Sequence, residues 1–113
     1  MPRISRLFIF VCAASFASTV YAECPYPERV KVPDGATATT EQLVDAQSLI
    51  KKYMAEMEGY LECLDLEDAN LGREPTAEEA QMHNQRHNAA VDEMESVAAD
   101  FNEQVRAYKK QNP

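Results

Sequence analysis

Two stretches of this chain place apolar or half-apolar residues at alternating intervals of three and four, and a single short loop separates them. The first stretch runs Leu43, Ala46, Ile50, Tyr53, Met57, Tyr60, Leu64. The second runs Ala80, His83, His87, Ala90, Met94, Val97, Phe101 and, after Gln104, Tyr108. A stripe with that alternation lies along one side of an α-helix and forms the seam of a two-helix pair. If the loop folds the helices antiparallel, partner numbers must add to a constant, and a constant of about 147 pairs the whole series: Leu64 with His83, Tyr60 with His87, Met57 with Ala90, Tyr53 with Met94, Ile50 with Val97, Ala46 with Phe101. Met57 against Ala90 and Ala46 against Phe101 put large residues opposite small ones, as close packing at a fixed helix separation requires. The fold class read from this pattern is all-α, an antiparallel two-helix hairpin with a coiled-coil-like seam.

Capping residues set the boundaries. Thr39 followed by Gln42, and Thr76 followed by Glu79, each make a capping box, in which the threonine side chain accepts from the N3 amide and the N3 side chain answers the cap amide. No proline occurs between Thr39 and Pro75, and Gly72 suits the end of the first helix. The helical hairpin is therefore placed at residues 39–113, with helices over about 39–71 and 76–109.

Ahead of it, residues 23–38 carry Pro25, Pro27 and Pro33 and then Asp34-Gly35, the composition of an extended arm that ends in a turn. Fifteen extended steps from Cys24 to Thr39 reach ~46 Å at ~3.1 Å each. A helix from Thr39 to Cys63 rises ~36 Å. The arm is thus long enough to run back along helix one and bring Cys24 to Cys63, with Tyr26, Val30 and Val32 as apolar contacts and Gly59 leaving room for the arm's backbone. Residues 1–22 read as a cleaved secretory leader: Arg3 and Arg6, an apolar run from Leu7, and small residues before Glu23. A retained membrane anchor would need ~20 apolar residues, more than the run supplies. The 91 residues that follow the leader keep two of the three cysteines, and in an oxidising compartment one Cys24–Cys63 disulfide is the expectation. The predicted location is the periplasm or the cell exterior.

Charge narrows the partners. The net charge is −8, and loss of Arg3 and Arg6 makes it −10, which disfavours nucleic acid and anionic membrane surfaces. His83 and His87 stand one turn apart and, with Glu67 and Glu79 nearby in the hairpin, are the candidate metal ligands. The motif is incomplete as a catalytic metal site, because Asn84 occupies the place of the glutamate in His-Glu-x-x-His. A polar layer in the seam, with His87 bonding Tyr60 and His83 bonding Glu67, is the preferred reading. The many helical acids match no calcium loop. No nucleophile, phosphate loop or cleft is evident, so neither enzymatic activity nor a cofactor is expected. Met54, Leu61, Val91, Ala98 and Val105 form a second apolar stripe on one flank of the seam. It is either covered by the arm, the first expectation, or left as a surface for a protein partner or a second copy in a homodimer. The function expected is that of an interaction or structural module, with periplasmic metal binding through His83 and His87 as the alternative.

The segments CPYP, VPDGATA, YLECL and HNAAVDEMESVAADFNEQVRAY resemble a group of short secreted proteins of Gram-negative bacteria, over nearly all of the chain beyond the leader. The resemblance implies the same hairpin and disulfide and brings no activity with it.

Overall fold

The computed structural model of the protein describes residues 23–113; the leader assigned to residues 1–22 lies outside them. Two helices make up the body, α1 over Thr40–Ala69 and α2 over Ala77–Gln111, and no strand occurs among the described residues. Both capping boxes form as the sequence predicts, Thr39 with Gln42 and Thr76 with Glu79. Acidic Glu78 and Glu79 in the first turn of α2, and Lys109 and Lys110 in its last, complement the helix dipole at both ends.

The seam holds along its length. Leu43, Ala46, Ile50, Tyr53, Met57, Tyr60 and Leu64 of α1 and Ala90 and Val97 of α2 are buried. Met94 and Phe101 pack against them at the half-buried edge. Three cross-seam contacts report the register directly: Thr40 Oγ1 with the Tyr108 hydroxyl at the open end, Arg86 over the Tyr60 ring, and His83 with Asp65 at the loop end. Each pair adds to within one of 147. An antiparallel two-helix hairpin is the fold, and the arm is joined to it by the Cys24–Cys63 disulfide, whose Cα atoms are 5.7 Å apart.

Three local expectations are corrected. Ala80 is exposed rather than in the seam: its partner position is Glu67, whose carboxylate turns to Arg86 and offers no apolar surface. The C-cap of α1 is Asn70, whose N–H donates to the Leu66 carbonyl. Gly72 lies beyond it, with a φ of 68° that lets the chain reverse. And Gly59 is not where the arm's backbone presses in, since a Cβ built on it would meet nothing within 4 Å.

The arm reaches its destination through a different glycine. Asp34 closes a turn in which its side chain accepts from Ala36 N–H and its carbonyl from Thr37 and Ala38 N–H. That turn seats Gly35 against α2.

Candidate functional site

The arm divides the hairpin into two unlike flanks. Its side-chain and backbone hydrogen bonds and ion pairs to the helices go to one flank, to Glu93, Ser96, Asp100 and Gln104 on α2, and its disulfide reaches Cys63 of α1 on the same side. Cys63, Gly59 and Glu56 belong to the same flank of α1. Met54 and Leu61, displaced by roughly a half-turn around a helix of 3.6 residues per turn, face away from it. The arm therefore does not cover the second stripe.

Arg29 is the arm's polar anchor, and the pattern of apolar residues gave no hint of it. Its guanidinium donates to Glu93 Oε1 at 2.6 Å, to Ser96 Oγ at 3.3 Å and to Asp100, three positions that follow one another along one side of α2. The Glu93 hydrogen bond and the surrounding carboxylates raise the Arg29 pKa above its ordinary value. The only sequence signal available was the spacing of the acids Glu93 and Asp100, which would have had to be matched to a basic residue in an aperiodic segment.

At the loop end the four candidate metal ligands are distributed among other partners. Glu67 accepts from Arg86 at 2.9 Å and places its second oxygen 3.2 Å from Cys24 Sγ. Glu79 is held by Arg73 at 2.7 Å and by the Thr76 N–H at 3.1 Å. The Arg73 hydrogen bond, followed by the backbone one, lowers the Glu79 carboxyl pKa to about 2. His83 lies between two carboxylates of α1, Nδ1 at 3.0 Å from Asp68 and Nε2 at 3.3 Å from Asp65. His87 stacks on it, ring centroids 6.4 Å apart. A polar layer does occupy this end, but with other pairings than the sequence suggested: His83 takes Asp65 and Asp68 in place of Glu67, and Arg86 rather than His87 meets Tyr60, its guanidinium carbon 5.9 Å from the ring centre. Among the described residues, the group of three metal-type side chains that comes together is Cys24, Cys63 and Glu67, and there the two sulfurs are joined in the disulfide.

The stripe of Met54, Leu61, Val91, Ala98 and Val105 is half-buried throughout. Met54 and Leu61 lean on the core from one side and meet solvent on the other. Toward the open end a cleft of about 380 Å³ is lined by Leu43, Val44, Phe101, Val105 and Tyr108 among others, so apolar surface continues along that flank. No helix among the described residues is long and apolar enough to cross a membrane. Compared with protein-family models, with curated proteins and with solved structures, the chain matches none.

Proposed function

We propose that the chain works outside the cytoplasm as a non-enzymatic interaction module, and that Met54, Leu61, Val91, Ala98 and Val105 are its contact surface, with a second copy as the first partner to test. The observation that carries this reading is the one-sidedness of the arm. The arm lies along one flank of a body only two helices thick, and a two-helix pair has too little interior to bury both flanks by itself. A second hairpin laid against the open flank would supply the missing layer. The disulfide supports an oxidising compartment, and the leader-like residues 1–22 agree with it.

Light scattering after size exclusion tests the surface. The wild type should form a dimer or higher species whose fraction grows with concentration. Leu61→Lys combined with Ala98→Glu should return it to the monomer with its helical content kept. A wild type that stays monomeric at every accessible concentration, or a double variant that associates as before, would defeat the self-association reading. Mass determination of protein recovered from the native cell tests the compartment: a chain beginning at Glu23 is expected, and retained residues 1–22 would contradict it.

A further inference from the structure

We propose that the groove between Pro25–Pro27 of the arm and Glu56–Cys63 of α1 binds a small organic cation, an ammonium group on an apolar or aromatic body. The first ground is Gly59. Glycine is among the poorest helix formers, and this one sits in the interior of a 30-residue helix. Two structural needs usually explain such a residue, a positive φ or a neighbour too close for a side chain. Neither holds: Gly72 is the glycine with positive φ, and a Cβ at Gly59 would stand in open space. Gly35 shows the contrast, since there a Cβ would run into the backbone of Gln104. What the bare position of Gly59 does is keep the floor of the groove open.

The second ground is the groove itself. It has a volume of about 430 Å³ and is walled by Pro25, Tyr26, Pro27, Tyr60 and Cys63. That volume falls within the usual range for small-molecule sites, roughly 300–1,000 Å³. The walls are stiff without a ligand. Proline fixes its own φ, the disulfide fixes the end of the arm, and the Tyr26 and Tyr60 rings brace each other at 5.0 Å and 80°. A preformed site loses little on ordering when a ligand enters.

The third ground is charge, and it selects the ligand. Glu56 is the charged residue on the lining. Its ion-pair partner Lys52 stands at 3.9 Å, the outer limit of such a contact, and the Glu56 side chain is 48% exposed. Tyr26, 52% exposed, offers a ring whose face attracts cations. A carboxylate beside an aromatic wall, on a chain of net charge −8, suits one positive charge and repels an anion.

The groove lies on the flank opposite Met54 and Leu61, so its occupancy is independent of self-association. The test is a nitrogen-15 NMR titration of the disulfide-intact protein with benzyltrimethylammonium, using toluenesulfonate as the anion of similar size. The cation should produce saturable shifts centred on the amides of Tyr26, Gly59, Tyr60 and Cys63, and the anion should bind at least about tenfold more weakly. Gly59→Leu should abolish those shifts by filling the floor. Tyr26→Ala, on the arm and outside the helices, should weaken them and decides the matter if the leucine variant does not fold. Shifts absent or scattered over the surface, equal binding of the anion, or full binding in Tyr26→Ala would each overturn the proposal.

Discussion

Gly35 and Gln104 meet so closely that the Gly35 N–H donates to the Gln104 side-chain oxygen at 2.8 Å while the Gln104 backbone occupies the space a Cβ would need. The residue is glycine because of a close approach, its φ being on the ordinary negative side. Gly35→Ala should therefore lift the turn at residues 34–38 from α2 and lower stability by about 1–3 kcal/mol, the usual cost of overpacking. Thermal melts and faster amide exchange across the turn check it, and an unchanged melt would mean the turn is not docked.

Tyr53 is 1% exposed, and its hydroxyl has no hydrogen-bond partner among the described residues. Burial, with Tyr26 and Glu93 adding to it, raises its pKa above the ordinary value. An unpaired buried hydroxyl is a cost that a phenyl ring of the same shape does not carry. Tyr53→Phe should leave the melting temperature unchanged or raise it, whereas Tyr53→Ala should cost about 3–5 kcal/mol through the cavity it opens. A phenylalanine variant as damaged as the alanine one would show that the hydroxyl is engaged.

The hairpin was legible because its signal repeats. Every third or fourth residue from Leu43 to Leu64 and from Ala90 to Phe101 restates the same face, and the antiparallel sum checks each half against the other. The disulfide was legible because arm length and helix rise agree. The flank the arm chooses was less so, since it depends on single contacts such as Arg29 with Glu93 that no periodicity repeats. The groove beside Gly59 was not legible at all: a glycine that makes room for the arm and one that leaves room empty read identically in sequence, and only the position of the neighbours separates them.

Gly59→Ala adds a methyl group into open space on a helix interior. It should raise stability by about 0.5–1 kcal/mol, the propensity difference alone. Denaturant unfolding measures this, and a loss of stability would mean that something presses on the position after all.

Opening the Cys24–Cys63 bridge, which spans 39 residues of sequence, should cost roughly 3–4 kcal/mol in the chain-entropy model. Cys63→Ser should lower the melting temperature, while Arg29 still holds the middle of the arm. Adding Arg29→Gln to that variant should release the arm to proteolysis between residues 25 and 33. Two free thiols in the unreduced protein would remove the premise.

Glu79 should make the loop end sensitive to acid. Its carboxyl pKa falls from 4.5 to about 2 through the Arg73 hydrogen bond and then the Thr76 amide. A carboxylate with a depressed pKa contributes stability that is complete above its unfolded value and is lost as pH falls toward the folded one. The wild type should lose stability between pH 4.5 and about 2, and Glu79→Gln should flatten that part of the curve. Because the pair is exposed, added salt should shrink the difference. Parallel curves for the two proteins would argue against the linkage.

The docked arm also decides how a pull would travel through the molecule. Glu23 sits beside the disulfide near the loop, whereas Pro113 follows the far end of α2, so the two ends of the described chain are separated by about 40 Å of helix. Tension between them enters at Cys24, crosses the covalent bridge to Cys63 and passes through the loop into α2, so residues 25–38 lie off the loaded covalent path. Loaded in that direction α1 and the arm, tied together by the bridge, slide as one against α2, and the buried layers and the Arg29 contacts resist together instead of opening in turn. Without the bridge the same tension would load the arm itself, and its contacts would give way from Tyr26 through Arg29, with Gly35 the last to leave.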